Sequence, residues 1–133
     1  MIYVQLVTML AVLQFAYFGM LVGKARVTYN VPAPGTSGNE VFERYFRVQM
    51  NTLEQLVFLL PSLWIAAAYF SPRICAVLGA VYLFGRLVYL RGYVQDPKKR
   101  SAGFGLSFAP TSILAVMALI GIVRALARGA AGA

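Results

Sequence analysis

The sequence predicts an all-α protein, a polytopic membrane bundle of four helices, and three observations predict it. The residues are 60% hydrophobic and only 12% charged, whereas roughly a quarter are charged in a soluble domain. Four apolar stretches each supply the ~20 residues needed to cross a bilayer core of ~30 Å. Breaks rich in proline, glycine and charge separate them. The predicted helices cover residues 2–23, 41–70, 73–95 and 104–127, so residues 1–133 read as one membrane domain with no soluble one.

The first helix has no charge between Ile2 and Val22. No basic residue precedes its apolar run, and the run exceeds the ~7–15 residues of a signal-peptide core, so a retained helix is expected. The first connection, KARVTYNVPAPGTSGNE, is punctuated by Pro32, Pro34, Gly35 and Gly38, and ends on Ser37 and Asn39 as candidate caps for the second helix. Pro61 removes one backbone bond inside that helix and predicts a kink. Ser71-Pro72-Arg73 is a tight turn into the third helix. The stretch DPKKRSAGFG reads as a polar loop before the fourth helix, which is uncharged from Phe104 to Val123. A small-residue tail, Gly129 to Ala133, closes the chain. Tyr3, Tyr29, Tyr45, Trp64, Tyr69 and Tyr93 are placed to anchor at the membrane interfaces.

The formal charge is +8. The basic residues sit at helix ends and inside helices, which favours anionic lipid heads or a small anion over nucleic acid as partner. The first and third connections share a side and hold Lys24, Arg26, Lys98, Lys99 and Arg100, an excess that assigns them to the cytoplasm. There is no histidine, and Cys75 is the only cysteine. That excludes a structural zinc site, a haem histidine ligand and a Ser–His or Cys–His nucleophile pair. No metal is therefore expected. Cys75, near the opposite surface, reads as packing, and Gly79, Gly85 and Gly121 as points of close helix approach.

The second helix carries an unusual polar stripe. Glu43, Arg44, Arg47, Asn51, Glu54 and Gln55 share one face, and Gln49 points off it. In the third helix Tyr82, Arg86, Tyr89 and Tyr93 also share a face. Asn51 and Arg86 are each ~15 Å into their helices at ~1.5 Å per residue. A charge at mid-membrane costs ~2.5–3.5 kcal/mol on insertion scales. Pairing of Glu43 with Arg47, and of Glu54 with Arg86, would lower that cost. Two readings follow. One is polar glue between helices, at about 0.6 kcal/mol per hydrogen bond. The other is a wet anion pocket on the basic-loop side, lined by arginines and tyrosine hydroxyls, with Gln49 facing a subunit boundary.

The segments FERYFRVQMNTLE and VYLFGRLVYLRGYVQDPKKRSAGFG resemble the family of membrane-associated proteins in eicosanoid and glutathione metabolism, in its bacterial form. The likeness extends over nearly the whole chain, through the four apolar helices, the proline-rich first loop, the ER-x-x-R-x-Q-x-N-x-x-E signature and the tyrosines of the third helix. It implies a homotrimer in a bacterial inner membrane, binding glutathione as co-substrate between neighbouring subunits. It implies Arg26, Arg47, Gln49, Asn51, Glu54, Tyr89 and Tyr93 as glutathione-binding residues. Arg100 is implied as the group that stabilises the thiolate, with Tyr89 as the alternative donor. Glu43 and Arg44 are implied as structural support.

Two positions depart from the family's leukotriene-synthesising members: Gln55 stands in place of a tyrosine, and Val27 in place of a second arginine. Leukotriene synthesis is not the expected reaction. The expected activity is glutathione transfer to a hydrophobic electrophile, or reduction of a lipid hydroperoxide. Arginine forks suit glutathione's two carboxylates, and Glu54 suits its ammonium. Lowering a thiol pKa from about 8.5 to about 6.5 requires about 2.7 kcal/mol of preference for the anion. A desolvated arginine with a tyrosine hydroxyl can supply that. A non-catalytic lipid-binding or scaffold protein of the same fold is the alternative. A small four-helix exporter ranks below both, because the first helix has Gln5 and Gln14 but no carboxylate.

Overall fold

The computed structural model describes residues 1–132, with side chains for residues 1–129. Ala133, the end of the small-residue tail, lies outside the described residues. The elements are α1 (Ile2–Thr28), α2 (Glu40–Tyr69), α3 (Pro72–Gln95), a 3-10 turn (Pro97–Arg100) and α4 (Ser101–Gly132). All four helices are long and apolar enough to cross a membrane.

Local chemistry sets most of the boundaries. Asn39 caps α2, its Oδ1 accepting from the Phe42 N–H at 3.0 Å. Glu40 and Glu43 sit in the first turn, where carboxylates complement the helix dipole. Ser71 caps α3 with Pro72 in its first turn, where no amide donor is needed. Gly38 adopts φ +119°, which an L side chain would resist, and so turns the chain into Asn39.

Two expectations change. The first helix does not stop at residue 23 but runs to Thr28, because no proline intervenes before Pro32 and the polar side chains there sit outside the apolar zone. The polar loop after Asp96 is largely helical. Asp96 Oδ1 accepts from the Lys98 N–H at 3.1 Å, and the 3-10 turn it caps feeds α4 at Ser101, three residues earlier than expected. Helix α2 is continuous from Glu40 to Tyr69, so Pro61 interrupts its bonding without ending it.

Helices α2 and α3 form the centre of the bundle, each packing against all three other helices. Glycines permit the closest approaches. A Cβ on Gly85 would come within 2.6 Å of the Leu106 backbone, and one on Gly103 would collide with the Tyr89 backbone. On Gly79 it would meet Val7 at 2.5 Å. The main core joins Val4 and Ala11 of α1, Leu59 and Leu63 of α2, Tyr82 of α3 and Leu114 of α4. Cys75 is fully buried within it, as packing requires. Three buried hydroxyls find backbone partners one turn back: Thr52 donates to Val48 O at 2.7 Å, Ser107 to Gly103 O at 2.7 Å and Thr111 to Ser107 O at 2.9 Å. Gln14 donates from α1 to Leu83 O of α3 at 2.9 Å. Trp64 donates to Thr8 Oγ1 at 2.9 Å, so its indole joins α2 to α1.

Candidate functional site

The two polar stripes meet where the bundle faces the first and third connections. A cavity of about 500 Å³ opens there, lined by Arg47 and Asn51 from α2, Tyr89 and Tyr93 from α3, Arg100 from the 3-10 turn, and Phe104 from α4. The tyrosine rings stack with centroids 5.5 Å apart, and Tyr89 is held from behind by Phe18 and Val48. Tyr89 is buried, whereas Arg47 and Arg100 are exposed. The capped turn after Asp96 brings Arg100 to the cavity, and Gly103 lets α4 lie directly against the Tyr89 backbone. The lining thus offers two guanidinium groups, one amide and two phenols. Such a surface suits an anion with further hydrogen-bonding groups.

Five of the eight residues singled out from the sequence converge here: Arg47, Asn51, Tyr89, Tyr93 and Arg100. Glu54 stands at the margin, its carboxylate 3.8 Å from Arg47. Arg26 and Gln49 lie elsewhere. Arg26 Nη1 donates to Gly35 O at 2.7 Å and Val31 O at 3.2 Å, with its guanidinium over the Phe42 ring at 4.8 Å. It organises the first connection. Gln49 is half-buried against α1, where a Cβ on Gly19 would meet its Nε2 at 2.7 Å.

Both expected carboxylate pairings are replaced. Arg47 takes Glu54 rather than Glu43, and Arg86 donates to Asn51 Oδ1 at 2.9 Å rather than to Glu54. The reason is rotational: Glu54 faces the open side of α2, whereas Asn51 is turned toward α3. Arg44 donates to the Val94 and Gln95 carbonyls at 3.1 and 3.2 Å, fastening α2 to the end of α3 as structural support. Phe104 was not singled out from the sequence. Its spacing of four from Arg100 would have signalled it once the helix was known to continue through that segment.

A four-helix membrane protein with a cationic, tyrosine-lined cavity at one end is the class that this fold and site define. The chain belongs to the MAPEG family, whose sequence model matches residues 4–120, and is accordingly an integral multi-pass membrane protein. It is 50% identical over 118 residues to an uncharacterized protein of Synechocystis, covering 89% of this chain and 86% of that one. It is 39% identical to human microsomal glutathione S-transferase 2, covering 89% of this chain and 80% of the human protein. Rat leukotriene C4 synthase is 39% identical, with 88% of this chain and 78% of the rat protein covered.

Proposed function

We propose that the chain is a membrane-bound glutathione transferase or peroxidase that activates the glutathione thiol for attack on a hydrophobic electrophile or a lipid hydroperoxide, and that the cavity holds glutathione. The observation that carries this reading is the gathering of Arg47, Asn51, Tyr89, Tyr93 and Arg100 from three elements around one space. Polar glue alone would leave those groups paired with one another. Glutathione carboxylates bind the guanidinium of Arg47 and the donors beside it, and Glu54 receives the ammonium. Arg100 stabilises the thiolate, with Tyr89 as a second donor within the same lining.

The thiolate attacks an electrophile arriving from the lipid side. With an aryl halide the S–C bond forms and halide leaves. With a hydroperoxide the sulfur attacks the outer oxygen and an alcohol leaves after proton uptake. A second glutathione then attacks the oxidised sulfur, giving the disulfide and water. Phe104 and the stacked tyrosines supply the apolar wall that such substrates require.

Arg26 and Gln49 are each half-buried against their own chain; in the homotrimer this reading expects, their remaining exposed atoms would complete a neighbouring subunit's glutathione site. The basic connections favour the cytoplasmic side for this end of the bundle, in what this reading takes to be a bacterial inner membrane. A scaffold or lipid carrier of the same fold would use the cavity without chemistry. Absorbance of the purified protein with glutathione separates the two. Thiolate absorbance appearing with binding supports the transferase; binding without it leaves the non-catalytic role.

A further inference from the structure

The largest fully buried side chain among the described residues lies outside the lining of the cavity. Arg86 is 0% exposed within a single chain, so its burial needs no neighbouring subunit. The ion pairs among the described residues involve Arg44 and Arg47, and neither includes Arg86. Its Nη2 donates to Asn51 Oδ1 at 2.9 Å. Its guanidinium lies over the Tyr89 ring at 4.2 Å, while Nε and Nη1 have no hydrogen-bond partner among the described residues. A leucine or methionine would fill such a place without removing a charge from water. The arginine is therefore badly explained as packing, and both groups it touches line the cavity.

We infer that Arg86 is a positioning residue for the glutathione site, fixing which way the Asn51 amide faces and holding the Tyr89 ring beneath it; this rests on the functional reading above. The chemistry of the guanidinium dictates the orientation. It has donors and no acceptor, so the group that Asn51 turns toward it must be the carbonyl oxygen. That leaves the Nδ2 hydrogens as what Asn51 offers to the cavity. Asn51 then selects an acceptor, a carboxylate or peptide carbonyl of glutathione. Without Arg86 the amide is free to rotate and present its oxygen, which repels the same ligand atoms. The cation–π contact fixes the plane of Tyr89 in the same way.

A double-mutant cycle on glutathione affinity in detergent tests this, with circular dichroism and the thermal midpoint as folding controls. Arg86→Met and Asn51→Ala each lower affinity about tenfold, the scale of one hydrogen bond to a charged group. In the Asn51→Ala background, Arg86→Met costs less than about twofold more, because its effect passes through Asn51. Arg86→Lys, which keeps a donor for Oδ1, recovers most of the affinity; Arg86→Leu replaces Arg86→Met in the cycle if that variant does not fold. Asn51→Asp keeps the acceptor for Arg86 but loses the outward donors; it folds, and binds glutathione at least about tenfold more weakly. Additive losses in the cycle, or full affinity in Asn51→Asp, overturn the positioning role while leaving the glutathione site standing. A wild-type protein that does not bind glutathione overturns both.

Discussion

Arg47 and Glu54 lie on the open face of α2 with guanidinium and carboxylate 3.8 Å apart, and their side chains are 55% and 60% exposed. A pair so loose and so wet contributes only about 0–1 kcal/mol to folding. Glutathione carries both charges needed to exchange with it, a carboxylate for Arg47 and an ammonium for Glu54. Arg47→Ala should therefore raise the dissociation constant for glutathione about tenfold or more, while the thermal midpoint moves little. Calorimetric titration and a melting curve on the same preparation check both halves.

Arg100 has a different expected signature. It is exposed at the junction of the 3-10 turn and α4, and among the described residues no ion pair holds it. If it stabilises the thiolate, Arg100→Ala lowers turnover of a generic aryl halide about a hundredfold with a smaller change in glutathione affinity. Single-turnover kinetics with parallel thiolate absorbance separate the two effects. Full turnover in this variant would transfer the role to Tyr89.

Arg26 is committed to its own chain through two carbonyls and the Phe42 ring. Arg26→Ala should loosen the first connection, at a cost of about 1–3 kcal/mol for the two unsatisfied carbonyls and the lost stacking. Faster proteolysis between Tyr29 and Asn39 is the expected readout. If Arg26 also reaches a neighbour's glutathione, affinity falls in the same variant, and Arg26→Lys recovers the binding better than the loop order.

Gly103 and Gly105 provide a matched pair. A Cβ on Gly103 collides with the Tyr89 backbone, whereas nothing lies within 4 Å of one on Gly105. Gly103→Ala should separate α3 from α4, costing about 1–3 kcal/mol and displacing Tyr89 from the cavity. Gly105→Ala should be neutral or slightly stabilising, because alanine favours helix by about 1 kcal/mol over glycine. Thermal unfolding in detergent, together with glutathione affinity, distinguishes them.

Much of the site was legible because helical spacing is local. Arg47 and Asn51 four residues apart, and Tyr89 and Tyr93 four apart, must share a face on any regular helix. Gly85 and Gly79 likewise announced close packing, and both pack closely. The pairing of charges was not legible in the same way. Glu54 and Arg86 looked like partners by depth and sign, yet small rotations of α2 about its axis decide whether Asn51 or Glu54 meets α3. Arg100 was read onto a polar loop, because three adjacent basic residues outweigh any apolar period; the Asp96 cap and the continuity of α4 made it part of a helical wall.

The sequence by itself determined that four helices cross a bilayer, where the chain turns between them, and which helix faces are polar. These follow from hydropathy, proline and glycine chemistry and the repeat of the helix, all of which act over a few neighbouring residues. Only the tertiary structure decided that Arg86 would be sealed against Asn51 and Tyr89, that Arg26 would bind its own loop, and that Phe104 would complete the cavity. Those outcomes depend on the rotation and spacing of whole helices. Close packing at positions such as Gly85 and Gly103 sets them across tens of residues of intervening chain.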